Sequence, residues 1–280
     1  MSMTYEFMAV RLNAEAAPPA ELGSLEFFQR AYSFSNDGFI MSLLTLALTL
    51  ALELLSLDSL RAILKRKGGT KLYLQGVAFN IVNNAVFGPP LYELVSNKWM
   101  SAPFSAVGRV AMVFAIILGH SIGYYCAHRW MHTRPMYWAH RFHHRFNVFV
   151  VPVTANAVSV AEYAIAYMLP FIVGAHLLHP DRVSMWLAVG VVSLNNLLIH
   201  TPKLADASAQ MVPWLFVSTA DHLEHHKRLT SHYAAPTISI DRLLACVFGK
   251  PSGWNAEFDA AEQVSDKATP EAYPVESKDK

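Results

Sequence analysis

The stretch AVGRVAMVFAIILGHSIGYYCAH, residues 106–128, is predominantly apolar and runs without a break into RWMHTRPMYWAHRFHHRFN, residues 129–147. Its apolar part is long enough to cross a bilayer, which takes ~20 helical residues. Between residues 119 and 147 lie six of the chain's 13 histidines. A spanning helix that hands a row of imidazoles to one face of a membrane sets the reading of everything around it. The expected fold is all-α: a membrane bundle of four to five helices, with a helical cap carrying the histidine clusters on the cytoplasmic side.

Working outward, composition agrees. Hydrophobic residues make up 53% and charged residues 15% of the 280 positions, more apolar and less charged than an ordinary soluble domain. A net charge of +1 lacks the basic excess of a nucleic-acid-binding surface. The two cysteines, Cys126 and Cys246, define no disulfide framework. DGFIMSLLTLALTLALELLSL (37–57) reads as a second span, with Glu53 its one charged intruder. YLQGVAFNIVNNAVFGPPLYELV (73–95) carries Asn80, Asn83 and Asn84 and is broken at Gly88-Pro89-Pro90, which predicts a kinked or partly re-entrant helix. AVSVAEYAIAYMLPFIVGAHLL (157–178) and VSMWLAVGVVSLNNLLIH (183–200) form a pair around the short HPDR loop. The expected organisation is an extramembrane segment over 1–36, a membrane domain over 37–250 and a polar, disordered tail over 251–280. The N-terminus has no basic start followed by an apolar core, so no cleaved signal peptide is read there.

Arg61, Lys65, Arg66, Lys67 and Lys71 cluster between the first two apolar segments, and short basic loops stay cytoplasmic. Counting crossings from that loop delivers residues 128–147 and everything from His200 onward to the same face, provided the segment at 73–95 crosses fully. His176 and His179 fall on the opposite side, as interfacial residues.

The histidine spacings then carry chemistry. His128 and His132 are i, i+4 and share a helix face. His140, His143 and His144 stand at i, i+3 and i+4, and so do His222, His225 and His226; two members of each trio lie ~100° apart and can serve neighbouring ions. With His200 there are nine candidate ligands. One metal cannot use nine; two ions of four or five coordination can, and imidazole suits iron, zinc, copper or nickel better than magnesium or calcium. A lone histidine flanked by Arg or Lys is ordinarily an interfacial side chain touching headgroups, and only the convergence of several spaced clusters raises these above that reading. His120 shares a stripe with Tyr124 and either lines the approach to the site or satisfies a contact between helices. No HExxH, Walker or GxGxxG pattern occurs, and the GxSxG letters appear only as GHSIG (119–123), inside the apolar segment rather than at a strand-to-helix turn, so zinc proteolysis, serine hydrolysis and nucleotide or nicotinamide binding lack their signals.

These motifs, YYCAHRWMH (124–132), WAHRFHH (138–144) and HLEHH (222–226), resemble in order and separation those of the fatty acid hydroxylase and sterol desaturase superfamily, integral-membrane di-iron oxygenases. The resemblance spans about residues 106–250, and HYAAPTISIDRLLACVFGK (232–250) is similar to the family's closing stretch, leaning toward methyl sterol oxidase-like members. It implies iron ligation by His128, His132, His140, His143, His144, His222, His225 and His226, with His200 matching a lone histidine of the family. It implies two irons, which zinc can replace on purification, and an oxidoreductase that uses O2 to hydroxylate or desaturate an unactivated carbon of a sterol, isoprenoid or fatty acyl lipid. A separate electron-donor protein, a cytochrome or a ferredoxin with its reductase, is implied as partner. The membrane is the endoplasmic reticulum in a eukaryote and the inner membrane in a bacterium. Departures are Ser121 where the family often has Asp, SVAE ending in Glu162 where it has His-Pro-x-Glu, and His232 where it commonly has Asn. Candidate residues around the ligands, or toward the substrate, are His120, Tyr124, Glu162, Asn196, Asp221 and His232; Asn80, Asn83, Asn84 and Asn195 are further candidates for a lipid's polar end, with hydrogen bonding between helices as the alternative. The rival class is a non-enzymatic membrane metal transporter, which would place ionisable ligands along a path through the bilayer. O2-dependent turnover separates the two. A bis-histidine haem carrier, with His120 as its main candidate, would show a Soret band.

Overall fold

A computed structural model describes residues 24–249. The first 23 residues of the expected N-terminal segment, and the whole of the expected tail over 251–280, lie outside the described residues. What is described is helical, and no strand occurs among these residues.

After a short α1 (Ser24–Ala31), the long elements begin where side chains satisfy their first backbone N–H groups. Asn36 caps α2 (Asp37–Leu55) by accepting from Phe39 N. α3 (Leu57–Lys65) follows, then α4 (Gly69–Ile81), which passes through a π turn at Val82–Phe87 into α5 (Gly88–Trp99). Ser105 caps α6 (Ala106–Met131). α7 (Tyr137–His140) is a single turn. Ser159 caps α8 (Val160–Leu178), which contains a second π turn at Tyr163–Met168, and Asp181 caps α9 (Arg182–Ile199). α10 (Ala205–Met211) and α11 (Thr219–Arg228) complete this unit. A second compact unit begins at Asp241, and its described residues continue α12 (Ile240–Phe248).

α2, α6, α8 and α9 are each long and apolar enough to cross a membrane. They are apolar on most sides: Leu48 and Leu50 on α2, Phe114 on α6, Leu177 on α8 and Val191 on α9 are exposed, as expected where lipid replaces water as the surrounding solvent. α4 and α5 lie beside them as a fifth helical run. At its far end His179 Nδ1 donates to Trp99 O, and Ser101 pairs with Asp181, which also holds Arg109 at 2.7 Å. At its near end Leu72 packs with Ile63, Phe146, Val151, Val153 and Ala157. Gly76 makes that approach possible, because a Cβ there would lie 2.7 Å from Phe146 Cζ. The run is continuous and kinked through its π turn. Both π turns directly precede prolines, Pro89-Pro90 and Pro170, whose missing N–H groups already break the α-helical ladder.

Residues 151–158 form an irregular, wholly buried segment beneath the histidines. Backbone is tolerated there only if its polar groups are satisfied by protein. Asn80 donates to Val153 O, Asn83 to Asn156 O and Val158 O, and Asn196 and Tyr167 to Ala155 O, while Glu53 accepts from Val153 N at 2.8 Å. These amides therefore anchor a strap; the alternative of internal hydrogen bonding is what Asn80, Asn83 and Asn196 do. Asn84 donates to Asn80.

Candidate metal centre

Five short pieces of chain deliver the imidazoles to one end of the bundle. α6 brings His128 in its last turn and His132 at its C-cap, α7 ends on His140, and a 3-10 turn holds His143 and His144. His200 is the C-cap of α9. α11 carries His222, His225 and His226, and its first turn is closed reciprocally by Ser218 and Asp221. Asp221 thus serves the helix that presents three of the nine.

The ring nitrogens fall into two groups, in each of which they all lie within 4.8 Å of one another. His128, His132, His140, His144 and His225 form the first; His143, His200, His222 and His226 form the second. All are buried except His132, which is partly buried. All nine residues expected from the spacing meet here. His176 and His179 sit at the opposite end, against Trp99.

Hydrogen bonding assigns the tautomers. His128 Nδ1 faces Tyr233 O at 2.7 Å, His225 Nδ1 faces Ser231 O at 2.6 Å and His200 Nδ1 faces Asn196 O at 2.7 Å. A carbonyl oxygen can only accept, so these nitrogens carry the proton. His140 Nδ1 meets the Glu162 carboxylate at 2.7 Å and donates to it likewise. The Nε2 atoms then present lone pairs. His128 Nε2 lies 2.9 Å from His140 Nε2, so two lone pairs face each other at hydrogen-bond distance with no proton between them. His225 Nε2, His143 Nδ1, His144 Nδ1, His222 Nδ1 and both nitrogens of His226 are buried without a hydrogen-bond partner. Buried polar atoms without partners are rare, and converging imidazole lone pairs are the donor set that a borderline transition-metal ion takes. The residues fit such ions.

Electrostatics agrees. Burial holds His132 down at about 3 and His200 at about 4, against an ordinary 6.5. Burial first, and neighbouring imidazoles second, hold His140, His143, His144, His222 and His226 well below that value. The same burial dominates at His225. Neutral imidazole is the form that ligates a metal.

The remaining candidates divide. Glu162 touches His140 directly, and Asn196 acts through its carbonyl on His200. The Tyr124 ring lies 5.2 Å from that of His128, tilted by 59°. His120 belongs to neither group; its ring lies 4.2 Å from that of Phe171. His232 lies outside both groups, with its Nδ1 3.9 Å from Asp221 Oδ1. Ser121 joins α6 to Thr237 at 2.8 Å, and Ser159 caps α8 while donating to Ala139 O, so both departures have structural partners. The carbonyls of Ser231 and Tyr233 were not foreseen. They act through backbone, which leaves no signature in side-chain identity.

A family model described as fatty acid hydroxylase matches residues 113–246, a span that contains all nine histidines. No curated protein and no solved structure matches the chain. The family suggests a lipid hydroxylase and is commonly iron-dependent, and the histidine groups could hold metal ions.

Proposed function

From the premise that residues 113–246 belong to the fatty acid hydroxylase family, within the fatty acid hydroxylase and sterol desaturase superfamily, we propose that this chain is a membrane-bound di-iron oxygenase. It uses O2 and electrons from a separate donor protein to hydroxylate, or desaturate, an unactivated carbon of a membrane lipid. Residues 37–250 are its catalytic domain, and the histidine end faces the cytoplasm, on the side of the basic loop at 61–71.

One observation carries the reading: nine buried imidazoles in a group of five and a group of four, with lone pairs converging in each. His128, His132, His140, His144 and His225 would hold one iron, and His143, His200, His222 and His226 the other. Two bound irons would supply reductive activation of O2 and removal of hydrogen from a C–H bond. The chain's own residues do the rest. Glu162 and the carbonyls of Tyr233, Ser231 and Asn196 fix ring orientation and make the ligating nitrogens more basic. Burial excludes water from the reacting carbon. The substrate is a lipid of sterol, isoprenoid or fatty acyl type, the closing stretch 232–250 favouring the first two.

The test is metal content by mass spectrometry of purified protein, with and without the pair His143→Ala and His225→Ala, one from each group. The expected result is about two irons per chain, lost in the variant, with O2-dependent appearance of a hydroxylated lipid. Absence of any stoichiometric metal from the wild type overturns the proposal.

A further inference from the structure

A cavity of about 80 Å³ lies inside the bundle, between α2, α5, α8 and α9. A single water needs ~10–15 Å³, so the space exceeds an isolated hydration site, and its walls are mainly apolar. Along α9 it is lined by Met185, Val189, Val192 and Asn196, a run of one helix face rising ~16 Å. Both π turns contribute to it, through Asn84 and through Tyr163 and Met168. Widening two helices at one depth opens a space that regular helices would close.

The two ends differ. The inner end is Asn196, whose carbonyl takes the Nδ1–H of His200, so the slot stops one helical turn short of the second histidine group. The polar groups there are engaged: Asn196 and Tyr167 both donate to Ala155 O. At the outer end stands Tyr92, packed against Gly38, where a Cβ would lie 2.7 Å from the tyrosine Cγ. Tyr92 is more than nine-tenths buried, it lines the slot, and its hydroxyl has no hydrogen-bond partner. An unpaired buried hydroxyl is costly, and in a slot that is mainly apolar and whose Asn196 and Tyr167 are already engaged it calls for an oxygen on the occupant.

Resting on the lipid-oxidation reading above, we propose that this slot holds the apolar body of the substrate, that the substrate is a lipid bearing a hydroxyl or carbonyl oxygen at the end remote from the reacting carbon, and that Tyr92 recognises that oxygen. The apolar walls exclude a free polar metabolite, and the helices that form them, α2 and α9, are apolar on their outward faces as well, as suits a bundle surrounded by lipid.

The experiment uses the full chain in lipid nanodiscs and two photoreactive probes, 1-hexadecanol and n-hexadecane, each with a mid-chain diazirine. Labelled peptides are mapped by mass spectrometry, and iron is measured on the same samples. The alcohol is expected to label residues 37–45 and 185–196, and Val192→Trp, which fills the slot, to abolish that labelling with metal content unchanged. Tyr92→Phe is expected to weaken the alcohol by roughly threefold to tenfold, the worth of one buried hydrogen bond, and to leave hexadecane unaltered. Labelling that persists in Val192→Trp, or a Tyr92→Phe effect equal on both probes, overturns the proposal. Because labelling does not require metal, loss of iron from the wild type would sink the di-iron reading and leave the outcome for the slot legible.

Discussion

At Glu162 a single carboxylate decides the behaviour of one imidazole. Its Oε1 accepts from His140 Nδ1 with both side chains buried, so it fixes the tautomer and sends Nε2 toward His128 and His144. Losing such a partner weakens metal binding by about 10–100-fold. Glu162→Ala is therefore expected to lower iron affinity by that amount, read by competition with a graded chelator, while Glu162→Asp recovers part of it. Unchanged affinity would make Glu162 a packing residue only. The depressed histidines give a second residue-scale outcome. His132 at about 3 and His200 at about 4 stay neutral in the folded chain while the unfolded chain takes up protons near 6.5. The unfolded state binds more protons below that point, so stability is full above pH 6.5 and falls progressively from there toward pH 4. The melting temperature of chelator-treated protein at pH 7.5 and 5.5 reads this; equal values would contradict it. At this scale the nine histidines that converge were legible in their spacing. Their allocation was not: His140 and His144 join one group and His143 the other, while in the next motif His225 is the member that crosses over. The i, i+4 pair stays together and the i+3 residue points elsewhere, but which group receives it depends on where the neighbouring helix lies.

Among the elements, the strap 151–158 is the piece that sequence reading did not anticipate. Its residues, VPVTANAV, are apolar enough to pass for the start of the next helix, and Ser159 is the cap that actually begins it. The asparagines of α4 and its π turn looked equally suited to a lipid's polar end, because an amide does not reveal in sequence whether its partner is a ligand or backbone. Asn83 bonds two strap carbonyls, so Asn83→Ala removes both and is expected to cost about 1–3 kcal/mol, read as a lowered melting temperature. Asn84→Ala, whose partner is only the preceding turn, should cost less. Equal losses would mean the strap is held by packing instead.

Across the whole molecule, the run from Gly69 to Trp99 carries the chain from the end where Leu72 meets Phe146 to the end where Trp99 meets His179. It returns the chain to the end where α6 begins, so α6 brings His128 back to the end of the basic loop, and α8 and α9, out and back, bring His200 and α11 to that same end. Cysteines introduced singly at Lys67, Lys227 and His179, in a Cys126→Ser, Cys246→Ser background, test this in oriented vesicles with an impermeant thiol reagent. Lys67 and Lys227 are expected to label from one side and His179 from the other; labelling of Lys67 together with His179, and of Lys227 from the opposite side, would place the run within a single leaflet. What the sequence by itself determined was local: apolar segments long enough to span, and imidazoles at helical spacing. Those follow from residue type and the 3.6-residue period. The tertiary structure alone decided which imidazoles share a group, which carbonyls orient them, and which amides are taken up by backbone. Most of those relations join residues far apart in the chain, such as Glu162 to His140 and Tyr233 to His128, 22 and 105 positions apart, and chain distance carries no information about them until the helices have packed.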